Sequence, residues 1–130
     1  MLEEALYTYL TSQTALTALV ATRIYPEVIP QNSALPAIAY QRVSTLPITS
    51  RDGGGELRQV RLQFDVLAPE VKTVWQVTTV LEGVLIGFKQ AAAPRVDVVF
   101  LDNRSDLYES ETRNYRVSVD ALVWYFESFT

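Results

Sequence analysis

Cysteine and histidine are both absent from this chain of 130 residues. Without cysteine there is no disulfide, no zinc–thiolate site and no thiol nucleophile. Without histidine the commonest general base, the Ser-His and Cys-His nucleophile pairs and the commonest metal ligand are missing. The sequence therefore predicts a non-enzyme with no cofactor and no specific metal. No apolar run approaches the length of a membrane span, and the N-terminus lacks a signal-peptide pattern. A basic field is missing too: 11 Lys and Arg stand against 15 Asp and Glu. That balance disfavours nucleic acid as a partner. The length suits one domain over residues 1–130 with a single core.

What is present is apolar periodicity. Residues 69–88 are the centre of the chain, an expected helix entered through Pro69 with Glu70 in its first turn. Val71, Val74, Trp75, Thr78, Leu81, Leu85 and Phe88 follow the spacing of one helical face. Val77, Val80, Val84 and Ile86 widen that face beyond what one sheet should cover. Trp75 and Phe64 are expected to be buried between helix and sheet. Two short helices precede, over residues 1–13 and 15–21, with Ser12 or Thr14 as a cap for the second. Ile24 and Tyr25 are extended because Pro26 follows.

Four strands are expected, at residues 37–43, 57–67, 95–101 and 115–126. In the third, Val96, Val98 and Phe100 are placed on one face and Asp97, Val99 and Leu101 on the other. The fold class is α+β: a four-stranded, mainly antiparallel sheet packed by one long helix and two short ones. Strand order 1-2-4-3 follows from a right-handed crossover that leaves a gap for the last strand. Residues 44–56 and 102–114 are assigned as long polar tips.

Several constellations suggest chemistry. Asp102, Asp106, Glu109 and Glu111 crowd one tip, but Leu107 stands where a calcium loop needs glycine and Arg113 where it needs glutamate. Gly53, Gly54 and Gly55 precede a strand, whereas a phosphate loop opens a helix, so a hairpin tip is the better reading. Asp65, Asp97 and Asp120 could supply a carboxylate pair for glycoside hydrolysis, yet each lies on an expected solvated strand face. Arg51, Arg58 and Arg61 form a basic strip without interleaved aromatics, which suits ion pairing with Asp52, Glu56 or another acid. Leu122, Trp124 and Phe126 share one strand face, and either the N-terminal helices or another subunit must cover them.

The segments LEEALYTYLTSQTALTALVATRIYP, LPAIAYQRVS, the helix ending GFK and VVFLDNRSDLYESETRNYRVSVDALVWY occur in that order. Together they resemble the tail-completion or tail terminator proteins of long-tailed phages, prophages and gene transfer agents. The resemblance implies a hexameric ring that caps the head-proximal end of the tail tube, ends its growth and joins the tail to the neck. It also implies a virion protein made in the bacterial cytoplasm. The implied partners are copies of the chain, the major tail tube protein and a neck, head-completion or connector protein. It carries no catalytic residues over. Contact candidates are Arg51, Asp52, Gly53, Gly54, Gly55 and Glu56 in the first tip. Asp102, Arg104, Asp106, Leu107, Tyr108 and Glu109 are candidates in the second, and Leu122, Trp124 and Phe126 on the last strand. Arg51 and Glu109 are candidates to set the register between subunits. A neck adaptor is the nearest alternative, and a small-ligand binding module with a closed apolar pocket is an alternative of another class.

Overall fold

The computed structural model describes residues 2–48, 57–92 and 94–126. Three helices and five strands follow in the order α1 (Leu2–Thr11), α2 (Thr14–Val20), β1 (Ile24–Pro26), β2 (Ala37–Ile48), β3 (Leu57–Ala68), α3 (Val71–Ile86), β4 (Arg95–Glu109) and β5 (Asn114–Phe126). The strands make one mixed sheet in the order β1-β2-β3-β5-β4. The four long strands are antiparallel and keep the expected order. The fifth, β1, adds in parallel beside β2, with Ile24 opposite Ile38. Three residues are too few to show an alternation, so the extended Ile24-Tyr25 pair gave no sign of a partner. Pro26 is tolerated there because β1 is an edge, where a missing N–H leaves no ladder bond unmade.

Paired residues in an antiparallel sheet share a face. Val60, Leu62, Phe64 and Val66 of β3 lie opposite Val123, Ala121, Val119 and Val117 of β5. All eight are buried and join one core with residues from all three helices. α3 buries Val74, Val77, Thr78, Leu81 and Leu85. Thr78 is tolerated there because its hydroxyl donates to the Val74 carbonyl at 2.6 Å. The helix starts later than expected. Glu70 is the capping residue, with extended backbone and no side-chain cap bond, so Pro69 shapes the approach rather than the first turn. The second helix opens at Thr14 with Gln13 as its capping residue, so neither Ser12 nor Thr14 caps it.

Trp75 departs from expectation. It is 49% exposed, and Ile86 61%, whereas Phe64 is fully buried. The buried stripe is centred on Val74, Val77 and Leu81, which turns Trp75 onto the flank facing β4. Its indole N–H there donates to the Asp106 carboxylate at 3.0 Å. α1 docks against the far end of α3. The Tyr9 hydroxyl donates to the Val84 carbonyl at 2.8 Å, and its ring stacks on Phe88 with centroids 4.7 Å apart. Gly87 permits this approach, because a Cβ there would lie 3.1 Å from the Tyr9 hydroxyl.

Two expected tips are largely sheet. β2 continues through residues 44–48, and β4 through residues 102–109. Only residues 110–113 form the turn between β4 and β5, with Arg113 at φ 57°. Polar composition misled because one face of an edge strand meets water, and ladder pairing to β5 holds the backbone whatever its side chains. Residues 49–56 lie outside the described residues.

Burial raises the pKa of Tyr9, and burial followed by the nearby Glu3 carboxylate raises that of Tyr40. Both phenols are thus harder to ionise folded than unfolded, where the value is 10.0. The folded chain holds more protons above that pH, so their contribution to stability is complete below pH 10.0 and is lost as pH rises beyond it. Urea midpoints should stay level from neutrality to about pH 10 and fall above it. Replacing both tyrosines by phenylalanine should flatten that fall.

Candidate assembly surface

The helices all pack on one side of the sheet, since their buried residues belong to the single core. The N-terminal helices therefore do not cover Leu122, Trp124 and Phe126. These three point from the opposite face, paired with Arg61, Gln59 and Leu57 across β3. No described helix lies over that face.

The open face has two unlike halves. At the end where β5 finishes, half-buried Leu122, Trp124 and Phe126 are flanked by Phe100 and Val98 of β4, and Leu46 of β2 lies on the same face beyond Gln59 and Leu57 of β3. Phe100 is 53% exposed and Leu46 55%. Phe100 reaches this face through a register shift between Val96 and Val98. The shift returns Val99 and Leu101 to the core side and overturns the expected grouping of that strand. The Arg95 guanidinium sits 3.9 Å from the centre of the Phe126 ring and shields that edge.

The other half is charged. Asp65 is only 9% exposed. It accepts from the Ser118 hydroxyl and the Gln63 amide and lies 3.3 Å from Arg116. It is thus neither solvated, as expected, nor unpaired. Arg116 also binds Glu109 at 3.1 Å. A cleft of about 420 Å³ separates this cluster from residues 27–35. At the seam between the halves, Arg61 reaches Asp102 at 2.6 Å and Asp120 at 3.3 Å. Its hydrogen bond to Asp102 holds the exposed guanidinium pKa above its usual value. On the helix side, Arg42 makes paired bonds to Glu3 at 2.8 and 2.9 Å and donates to the Tyr125 hydroxyl. Burial disfavours that cation, but the Glu3 and Tyr125 bonds outweigh it and raise its pKa.

The expected second-tip residues are distributed along β4. Arg104 binds Glu82 at 3.0 Å, Asp106 holds the Trp75 indole, and Glu109 is taken by Arg116. Glu109 is thereby already engaged within its own chain. Asp97 is likewise bound by Arg95 at 3.0 Å. Leu107 and Tyr108 are 59% and 48% exposed, with the Tyr108 ring 4.9 Å from that of Tyr115. Arg51, Asp52, Gly53, Gly54, Gly55 and Glu56 lie outside the described residues. Sequence reasoning missed Phe100, Leu46 and the outward Trp75. Phe100 needed the register shift, and Leu46 needed β2 to extend beyond residue 43.

The sequence profile of the family described as tail completion protein gp17 matches residues 4–125. No curated protein matches the sequence. Among solved structures, a chain from "Virion of native gene transfer agent (GTA) particle" shares the fold at TM-score 0.77 and 17% identity. That match covers 96% of this chain and 94% of the other. A structure from Akkermansia muciniphila, described as lacking its transmembrane region, overlaps only at TM-score 0.34 and 8% identity, covering 69% and 46%. No described helix is long and apolar enough to cross a membrane. With the profile spanning nearly the whole chain, the chain belongs to the tail completion protein gp17 family and is a structural tail protein of the virion that joins tail and head.

Proposed function

We propose that the chain assembles as a ring of six copies that caps the head-proximal end of the tail tube. The cap ends tube growth and offers its outer surface to the neck or connector. The observation that carries this reading is the apolar half of the open sheet face, with Leu122, Trp124 and Phe126 at its centre and Phe100 and Leu46 at its margins. Contiguous apolar patches on a domain of this size mark interaction sites. Closed rotational symmetry covers such a patch on every copy, and a tube cap must match the symmetry of its tube. The likeness to a chain of a gene transfer agent virion supports the fold needed for such a role. Residues 51–56 and the β4 residues Asp102, Arg104, Asp106, Leu107 and Tyr108 remain the proposed contacts to tube and neck. These β4 residues act from a paired strand, so they meet a partner as a formed surface. The tube protein, the neck protein and copies of the chain are the proposed partners, met after synthesis in the bacterial cytoplasm.

Particles produced without the chain test this function. They should yield tails of uncontrolled length, or tails that never join heads. Tails of normal length joined to heads would reject it.

A further inference from the structure

We propose that the outer edge of β4 at residues 103–109, with the apolar pocket beside it, is a docking groove for an extended segment of another protein. The segment adds as a strand and carries two consecutive apolar residues.

The sheet has two edges, and they are not alike. On the β2 side, β1 covers Ile38 to Tyr40. A register shift between Arg42 and Ser44 and a proline at position 47 interrupt the rest. On the β4 side, Gln90 bridges Val96, and shifts at Val96/Val98 and Leu101/Asn103 break the near half. Shifts, prolines and short covers are how proteins blunt an edge. Among the described residues, 103–109 have no shift, proline or cover, and their charges Arg104, Asp106 and Glu109 are held by Glu82, Trp75 and Arg116. They pair with β5 in unbroken register from Asn103–Asp120 to Glu109–Asn114, and β4 is the last strand of the sheet. The outward backbone groups of this stretch present a template for a further strand.

The pocket lies at the same place. It has a volume of about 250 Å³ and is lined mainly by apolar atoms, with Val71, Val74 and Trp75 on one wall and Tyr108 and Tyr115 on the other. That is below the ~300–1,000 Å³ of small-molecule sites, and it suits one apolar side chain. The Trp75–Asp106 bond, with the Glu82–Arg104 pair, ties α3 to this half of β4 and fixes the groove's walls. An added strand would run ~4.8 Å outside β4, within side-chain reach of the pocket. Its residues alternate between faces, so one side chain enters the pocket and the next meets Leu107, which is 59% exposed. Main-chain bonds supply affinity and the pocket supplies selection, as in other strand-addition sites. The blunted β2 edge argues against a β4-to-β2 continuation of the sheet into a second copy, and a twofold β4–β4 pairing is the outcome that sedimentation detects. This groove lies on the helix side and the edge, apart from the sheet-face patch, and does not depend on the ring.

The test uses the full chain, isotope-labelled for NMR, and the probe acetyl-Thr-Thr-Val-Leu-Thr-Lys-Thr-amide. The expected result is saturable shifts confined to the amides of residues 103–109 and the Trp75 indole. Backbone N-methylation of the Val-Leu unit, and Trp75→Ala in the chain, should each weaken binding at least about tenfold. No saturable shift at millimolar peptide, or equal binding of the N-methylated probe, would overturn the proposal. So would sedimentation showing a dimer that Ser105→Pro dissolves, because a second copy would then own the edge.

Discussion

Replacing Phe64 with alanine will lower the unfolding free energy by about 3–5 kcal/mol, the range for truncating a large aromatic in a core. Phe64 is fully buried at the centre of β3, opposite Val119 on one side and Tyr40 on the other, 6.4 Å from the Tyr40 ring. The sheet and helices around it are joined by hydrogen bonds and cannot collapse freely into the space left behind. The matching change at Trp75 should be far smaller, about 1 kcal/mol, as for loss of one hydrogen bond and partial burial. A chemical-denaturation series on the two variants separates them. Comparable losses would mean that α3 turns its Trp75 flank inward.

The second large effect is on assembly. The double variant Leu122→Thr, Trp124→Thr keeps residues suited to a strand at both positions and removes the centre of the apolar half-face. The fold should persist, because both side chains lie on the face away from the helices. Truncating buried aromatic anchors typically costs 2 kcal/mol or more at an interface. That is on the order of 30-fold in affinity. In competition with the unaltered chain at equal concentration, the variant should be nearly absent from tails. Equal incorporation would show that this half-face meets only solvent. Arg95→Ala, which removes the cation from the Phe126 ring at the rim, should weaken incorporation much less.

Much of this architecture was legible in the residues, and the reasons are local. The alternation of Val60, Leu62, Phe64 and Val66, and that from Val117 to Tyr125, is unbroken, so both strands and their inward faces could be read directly. The crossover rule then placed β5 between β3 and β4. Three features were hidden. β1 is too short to alternate. The register shift near Val98 swaps faces in mid-strand, which a strict period of two cannot show. Trp75 has helical neighbours that fit either of two stripes, and only the position of β4 decides between them. Of the candidate surface, Leu122, Trp124 and Phe126 stood out because they break the polar alternation of β5. What they lacked was the other side of the sheet: only the placement of the helices shows which face no described helix covers. The charged run from Asp102 to Glu109 has the composition of a loop, and nothing in it shows that its charges are met from outside: Asp102 by Arg61, Arg104 by Glu82 and Glu109 by Arg116.

The most direct measurement is the position of the chain in the assembled particle. Cryo-electron microscopy of particles carrying this chain should show one ring of it, at the head-proximal end of the tail tube, with the Leu122–Trp124–Phe126 face against protein. A particle with no ring of this chain at that end, or with the chain repeated along the tube, would contradict the account.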